Sequence, residues 1–146
     1  MKKNILVSAC LLGESCRYDG KSKPCERVIA LSNTYNLIPI CPEVMGGLPT
    51  PRTPSEICGE LVLMKDGRDV TENYNRGARK ALEIARENAC TVAILKEKSP
   101  SCGSGLIHNG KFDGGLIEGD SITAKLFKKE GIRVLGESEI TEDFSL

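Results

Sequence analysis

Aromatic side chains are scarce in this chain of 146 residues, which has no tryptophan and 4 % aromatic residues in all. The chain also has no excess of charge of either sign, because 20 lysine and arginine residues are balanced by 20 aspartate and glutamate residues. A chain with no net charge exerts no long-range attraction on a nucleic acid or an anionic membrane. The composition therefore argues against a protein that holds a large RNA by charge alone.

Long apolar runs and a targeting signal are also missing. The chain begins with two lysines and a very short apolar run, without the longer apolar region and cleavage site of a signal peptide. No stretch reaches the roughly 18 apolar residues that span a bilayer. The sequence thus predicts a cytoplasmic protein without membrane contact, and its length suits a single domain over residues 1–146.

Several common cofactor motifs do not occur. There is neither a P-loop nor a G-x-G-x-x-G motif, because Gly46-Gly47 leads into prolines rather than into a helix. The close C-x-x-C pairs of thioredoxin and zinc sites are missing as well. The one histidine, His108, lies in a predicted hairpin and is expected to be an exposed polar residue. A zinc-stabilised binding module stays open as an alternative, to be decided by metal analysis.

The elements that are present alternate between strand and helix. Apolar runs predict strands at 3–9, 37–40, 91–95 and 132–135, and helical spacing predicts helices at 26–35, from 71 onward and at 121–130. Asp66-Gly67 and Asn109-Gly110 predict hairpin turns, whereas the Pro- and Gly-rich segment 41–60 predicts no regular element. The pattern predicts a Rossmann-like α/β domain, with a mostly parallel sheet and helices on both of its faces.

The seven cysteines are the most informative residues in the chain. An odd number in a reducing compartment argues against a disulfide framework. Cys10 and Cys41 directly follow predicted strands, and Cys102 lies a few residues after the strand at 91–95. Because ligands collect at the carboxyl ends of parallel strands, these cysteines are expected to converge, and Cys16 can reach the same place. Thiolates that converge from separate segments are typical of an iron–sulfur site.

Five motifs resemble those of the thiouracil desulfurase family. They are VSACLLG at 7–13, CRYDG at 16–20, CPE at 41–43 followed by Gly46-Gly47, Pro51-Arg52, and KSPSCG at 98–103. They occur in the family's order over nearly the whole chain, and their combination is specific. The resemblance implies a [4Fe-4S] cluster that only three cysteines hold, so that the fourth iron is open to the sulfur of a thiolated base.

On this chain, the resemblance implies that the cluster is bound by three of four cysteines, Cys10, Cys16, Cys41 and Cys102. The strand ends favour Cys10, Cys41 and Cys102 as the metal ligands without excluding Cys16. The remaining cysteines are interpreted as structural residues.

The resemblance also implies a glutamate and a serine beside the cluster. The glutamate is Glu43, and the serine is Ser99 or Ser101, of which Ser99 is slightly favoured. Three further charged residues either hydrogen-bond the pyrimidine or hold loops by ion pairing: Arg17, Asp19 and Arg52.

The chemistry that follows is the conversion of thiouracil to uracil and hydrosulfide without net redox change. An open iron would take the sulfur, and Glu43 would activate water. A non-catalytic iron–sulfur carrier or sensor stays open, and so does desulfuration of 4-thiouridine in transfer RNA. Larger relatives have an extra C-terminal domain linked to thiolated transfer RNA, and this chain ends at Leu146 without it. A small thiolated pyrimidine is therefore the expected partner, with the oligomeric state open.

Overall fold

A parallel four-stranded sheet lies at the centre of the fold in a computed structural model that describes residues 2–146. The described strands are β1 (Asn4–Ser8), β2 (Asn36–Ile40), β3 (Ser55–Cys58), β4 (Leu61–Met64), β5 (Val92–Leu95), β6 (Leu106–His108), β7 (Leu116–Glu118) and β8 (Arg133–Gly136). The α-helices are α1 (Glu26–Ala30), α2 (Pro42–Met45), α3 (Thr71–Glu87) and α4 (Ile122–Lys129). No helix within the described residues is long and apolar enough to cross a membrane.

The sheet has the strand order β2-β1-β5-β8, and all neighbouring strands are parallel. Successive residues of a strand point to opposite faces, so β1 contributes to two cores. Leu6 packs with Phe127 of α4 on one face, and Ile5 packs with Val28 of α1 on the other. The predicted fold class, a mostly parallel sheet covered by helices on both faces, is confirmed.

Pro39 lies inside β2, where it cannot donate a hydrogen bond to a neighbouring strand. The strand order explains why this is tolerated, because β2 is an edge strand that pairs with β1 alone. Proline within sheets is largely confined to such edges.

The segment 41–60 is more regular than its composition predicts. It forms the short helix α2, which begins at Pro42, and the strand β3. Proline suits the first position of a helix because its missing N–H has no partner there in any case.

The first hairpin also differs from the prediction, in which Asp66-Gly67 joins 60–64 to 68–71, since the regular strand partner of β4 is β3. β4 also keeps contact with the predicted partner, through the bridge between Leu63 and Asp69 and through hydrogen bonds from the Met64 N–H to the Arg68 carbonyl oxygen (2.8 Å) and from the Val70 N–H to the Val62 carbonyl oxygen (2.9 Å).

The second hairpin agrees with the prediction. β6 and β7 are antiparallel and pair His108 with Leu116, so that Asn109-Gly110 begins the connection. Its tip is fastened to the first hairpin by Glu56, whose Oε1 accepts hydrogen bonds from the backbone N–H groups of Gly110 (2.9 Å) and Phe112 (3.2 Å). Glu56 is a buried carboxylate, so these contacts replace the water that it loses on folding.

Helix α2 lies directly against α3, and glycine makes this approach possible. A Cβ atom added to Gly77 of α3 would overlap the carbonyl oxygen of Pro42. A Cβ atom at Gly46, after the end of α2, would overlap the carbonyl oxygen of Asn73 in the same way. Since both obstacles are backbone atoms, neither can move away without shifting a helix.

Replacing Gly77 by Ala is expected to destabilise the protein by about 1–3 kcal/mol, the usual cost of overpacking. A loss of stability would be informative, because alanine in a helix interior is otherwise favoured over glycine by about 1 kcal/mol. Urea unfolding measures the change, with Lys80→Ala on the exposed side of α3 as the matched control. A neutral or stabilised Gly77→Ala protein would contradict the close packing of α2 on α3.

Candidate active site

A cavity of about 440 Å³ opens at the carboxyl ends of β1, β2 and β5. β1 is the strand at which the chain order reverses, because β2 lies on one side of it and β5 on the other. Loops that leave neighbouring strands at such a point diverge and leave a crevice. The ends of β1 and β5 are joined by a hydrogen bond of 2.9 Å from the Lys96 N–H to Ser8 Oγ.

Four cysteines from three segments line this cavity, namely Cys10, Cys16, Cys41 and Cys102. Cys10 lies in a single 3₁₀ turn after β1, Cys41 directly precedes α2, and Cys102 lies in the loop after β5. All four thiols are free. The structure therefore brings together the four cysteines that the motifs single out, and it leaves the other three outside the cavity.

The thiols perturb one another. The neighbouring Cys10 side chain is the main reason that the pKa of Cys16 is raised to about 11. Cys41 Sγ donates to the backbone carbonyl oxygen of Cys16 at 3.8 Å, and the neighbouring Cys16 side chain together with burial raises the pKa of Cys41 above its usual range. Burial raises the pKa of Cys102 to about 12. Without a metal these three thiols are protonated at neutral pH, so any of them that binds a metal must first release its proton.

Glu43 lies in the first turn of α2 and faces the cavity. Its two oxygens have different partners: Oε1 accepts from Arg52 Nε at 3.0 Å, and Oε2 accepts from Ser101 Oγ at 2.9 Å. The Glu43 side chain is 13 % exposed and that of Arg52 is 3 % exposed. A carboxylate held at both oxygens in such a site has little freedom to rotate.

The other nitrogens of Arg52 bind the chain around the cysteines. Nη2 donates to the carbonyl oxygen of Cys16 at 2.9 Å, and Nη1 donates to that of Pro49 at 3.0 Å. The planar guanidinium suits several acceptors at fixed angles. Two roles are predicted for Arg52, substrate binding and the holding of loops. These contacts fit the second role, because they join the loop of Cys16 to Glu43.

The two candidate serines have different surroundings. Ser101 is buried and donates directly to Glu43. Ser99 Oγ lies 3.1 Å from Ser101 Oγ and accepts from the backbone N–H groups of Ser101 and Cys102. Gly103 closes this turn, where a Cβ atom would lie 2.7 Å from the Ser99 carbonyl oxygen. The contact with Glu43 therefore belongs to Ser101, whereas Ser99, which the motif slightly favours, shapes the turn.

Arg17 and Asp19 are placed differently from each other. Arg17 lines the cavity, whereas Asp19 does not. Asp19 accepts a hydrogen bond of 3.0 Å from the Lys21 N–H, and its carboxylate lies 3.8 Å from Arg17. These contacts hold the loop and Arg17 in place. Asp19 itself does not contact the cavity.

The two hairpins form the far wall of the cavity, which the sequence motifs do not predict. His108 and Phe112 from the second hairpin and Glu56 and Lys65 from the first line it. The expectation that His108 is exposed is wrong, because the residue is half-buried and its Nδ1 atom is shielded from solvent. The Asn-Gly turn predicts the hairpin but not its docking, which depends on the distant Glu56.

Comparisons with known proteins agree with this site. A family model described as 2-thiouracil desulfurase matches residues 5–139. The chain is 43 % identical over 148 residues to the uncharacterized protein YbbK of Bacillus subtilis (strain 168), an alignment that covers 94 % of this chain and 98 % of that protein. The solved structure of the [4Fe-4S]-dependent thiouracil desulfidase TudS is 46 % identical, with a TM-score of 0.90 over 95 % of this chain and 93 % of that one. The resemblance seen in the motifs is confirmed, and the chain belongs to the 2-thiouracil desulfurase family.

Proposed function

We propose that this protein is a [4Fe-4S]-dependent desulfurase that converts a thiolated pyrimidine base and water into the oxo base and hydrogen sulfide. The observation that carries the proposal is the set of four free cysteines that share one cavity with the bonded pair Glu43 and Ser101. The reaction exchanges sulfur for oxygen and transfers no electrons. It requires an acceptor for the sulfur and a base for the water proton.

The donor set suits a cluster better than a single ion. No three His, Cys, Asp or Glu side chains in residues 2–146 come close enough together to hold one metal ion. A zinc ion needs its thiolates about 2.3 Å from one centre, whereas a [4Fe-4S] cluster is bound through thiolates on separate irons. Four thiols that line one cavity of about 440 Å³ support the larger group.

Cys10, Cys41 and Cys102 would hold the cluster, since each follows the end of a strand in the rigid sheet. Cys16 lies beside Cys10 and Cys41 on a longer loop and would be left without iron. When bound, the cluster supplies a soft Lewis acid that binds thiocarbonyl sulfur in preference to water oxygen and polarises the attached carbon.

Glu43 would take the proton from the attacking water, a role that commonly contributes about 10²–10⁴-fold to the rate. Arg52 and Ser101 hold its carboxylate in one orientation. Both partners come from outside α2, so the position of the base depends on three segments of the chain. Ser101 Oγ also lies 3.6 Å from Cys102 Sγ, so the partner of the base adjoins a proposed ligand.

The substrate would be a small molecule. The cavity lies within the roughly 300–1,000 Å³ of ordinary ligand sites, and the chain has no net charge to attract a polyanion. These features favour a free thiolated pyrimidine over transfer RNA.

Anaerobic reconstitution followed by incubation with 2-thiouracil and 4-thiouracil tests the proposal. We expect iron and acid-labile sulfide in the protein, and equal amounts of released sulfide and uracil from at least one of the two bases. Oxygen from isotope-labelled water should appear in the uracil. A protein that binds the cluster but releases no sulfide and passes the cluster to an apo-protein would instead be a carrier, and zinc without sulfide would support a zinc module.

A further inference from the structure

Glu56 is a buried carboxylate in the cavity wall, and only one of its two oxygens is bound to the protein. The residue lies in β3, lines the cavity and is 8 % exposed. Oε1 accepts the hydrogen bonds from Gly110 and Phe112 described above, whereas Oε2 accepts none from residues 2–146. No lysine or arginine in the described part of the chain forms a salt bridge with it either. Buried polar groups are rarely left without partners, so this oxygen calls for an explanation.

The unpaired oxygen of Glu56 is accessible. Within the described residues, the side-chain polar atoms that are both shielded from solvent and without a partner belong to Tyr74, His108 and Thr123. Glu56 Oε2 is not one of them, although it also lacks a partner, so it must keep a contact with solvent. Because Glu56 lies in the cavity wall, the cavity is the open space that reaches this oxygen.

The contacts of the hairpin tip fix the direction of the accessible oxygen. Two backbone N–H groups hold Oε1 of Glu56, and the tip that supplies them packs closely on β3. A Cβ atom at Gly110 would lie 2.7 Å from the carbonyl oxygen of Ile57, and Cys58 Sγ donates to the Gly110 carbonyl oxygen at 3.4 Å. With Oε1 held in this way, the carboxylate has little freedom to turn. Oε2 is therefore an acceptor with a defined orientation toward the cavity.

We infer that Glu56 Oε2 accepts a hydrogen bond from the ring N3–H group of the pyrimidine and so selects and positions the substrate, an inference that rests on the proposed function. An ionised carboxylate can only accept hydrogen bonds, and a ring N–H group is a donor that matches it. Ring atom N3 lies between C2 and C4, so its N–H group adjoins the thiocarbonyl carbon in both 2-thiouracil and 4-thiouracil. One acceptor thus serves both isomers, and its charge strengthens the bond.

The inference narrows the substrate class to cyclic thiocarbonyl compounds with a free N–H group beside the C=S bond. An analogue that is methylated at N3 would bury the Glu56 carboxylate without a partner, and sites built to hydrogen-bond an N–H group discriminate strongly against such analogues. The two carboxylates of the cavity then have different roles. Both oxygens of Glu43 are held by protein groups, whereas Glu56 has one oxygen for the ligand. Glu56 acts on binding, and Glu43 acts on the water.

Glu56→Gln tests the role of the second oxygen in the cluster-loaded protein. Glutamine keeps an oxygen for the two backbone N–H groups, and these fix the side chain so that its NH₂ group replaces Oε2. A donor then faces the N3–H donor. We expect KM for 4-thiouracil to rise by about ten- to hundredfold, because a hydrogen bond to a charged group is lost. The value of kcat should stay within about threefold.

Cys58→Ala is the matched control. It removes the other side-chain contact with Gly110 and leaves both oxygens of Glu56 in place. We therefore expect KM and kcat for 4-thiouracil to stay within about threefold of the wild-type values. Iron content and the urea midpoint, measured for both variants, show whether the cluster and the docking of the hairpin are retained.

Equilibrium dialysis with uracil and 3-methyluracil supplies a readout that does not depend on turnover. The wild-type protein should bind uracil at least about tenfold more tightly than 3-methyluracil, because the methyl group removes the donor. Glu56→Gln should bind uracil more weakly and lose this preference, so that the two Kd values agree within about threefold. Cys58→Ala should keep the preference.

The outcomes separate this inference from the proposed function. If the wild-type protein prefers uracil in this Glu56-dependent manner but releases no sulfide from thiouracils, the proposed function fails and the inference stands. If it releases sulfide but binds no uracil, or binds the two ligands equally, the inference is overturned and the proposed function stands. Retention of the preference in Glu56→Gln would also overturn it. An equal loss in Cys58→Ala would do the same, because it would leave Glu56 only a role in docking the hairpin.

Discussion

Replacing Glu43 by Gln is expected to lower the rate of sulfide release by about 10²–10⁴-fold, the range for loss of a general base. The amide keeps the size of the carboxylate and can still accept a hydrogen bond from Arg52, but it cannot take the proton of the attacking water. Iron and sulfide contents should equal those of the wild-type protein. Single-turnover measurement of sulfide release under anaerobic conditions gives the ratio directly.

The same substitution also affects stability, and the two effects must be separated. Arg52 has a side chain that is 3 % exposed, and loss of its buried counter-charge costs up to about 3–5 kcal/mol. Urea unfolding therefore accompanies the kinetic experiment. Glu83→Gln on the exposed face of α3 is the matched control and should change neither quantity. A stable, cluster-loaded Glu43→Gln protein with wild-type turnover would remove Glu43 from the mechanism.

Serine replacement of a single cluster ligand is expected to abolish activity and to reduce iron content. Mutation of a residue that only hydrogen-bonds a metal ligand already lowers metal affinity by about 10–100-fold. For serine in place of the ligands Cys10, Cys41 and Cys102 we expect at least that loss. Cys16→Ser should instead keep the cluster and its visible absorption. Iron, acid-labile sulfide and absorption spectra of anaerobically purified variants provide the comparison.

Cys25→Ser is the control for this series, because Cys25 is a half-buried cysteine outside the cavity. It should match the wild-type protein in cluster content and turnover. Loss of the cluster in Cys16→Ser, with retention in Cys10→Ser, Cys41→Ser or Cys102→Ser, would show that the strand-end argument selects the wrong three ligands.

Local patterns predicted the central sheet well. β1 and β5 are short apolar runs, and both form buried strands near their predicted bounds. Helix α4 begins after Ser121, which caps it by accepting from the Ala124 N–H at 3.2 Å. These elements are specified by nearest neighbours in sequence, so their patterns are sufficient.

The segment 41–60 and the first hairpin were predicted less well. Helix α2 has four residues, too few for a periodic pattern, and it is stabilised by packing on Gly77. For the hairpin, Gly59 and Asp66-Gly67 both form turns: β4 pairs with β3 across the first and hydrogen-bonds residues 68–70 across the second. The pairing with β3 accompanies burial of Ser55 and Glu56, which no local pattern reveals.

Within the site, the motifs singled out the four cysteines, Glu43 and the two serines, all of which line one cavity. Their convergence followed from a general property of parallel sheets, in which strand ends collect at one edge. Their catalytic and ligating roles stay predictions that the variants above would test.

By itself, the sequence determined which cysteines lie at the carboxyl edge of the sheet, because each of them follows the end of a strand by a fixed number of residues. The tertiary structure alone decided which partners the residues of the site have. Ser101 rather than Ser99 reaches Glu43, Arg52 joins Glu43 to the Cys16 loop, and His108 faces the cavity. The physical reason is that these contacts link residues from segments far apart in the chain, and their geometry is set only when the hairpins and α2 pack against the sheet.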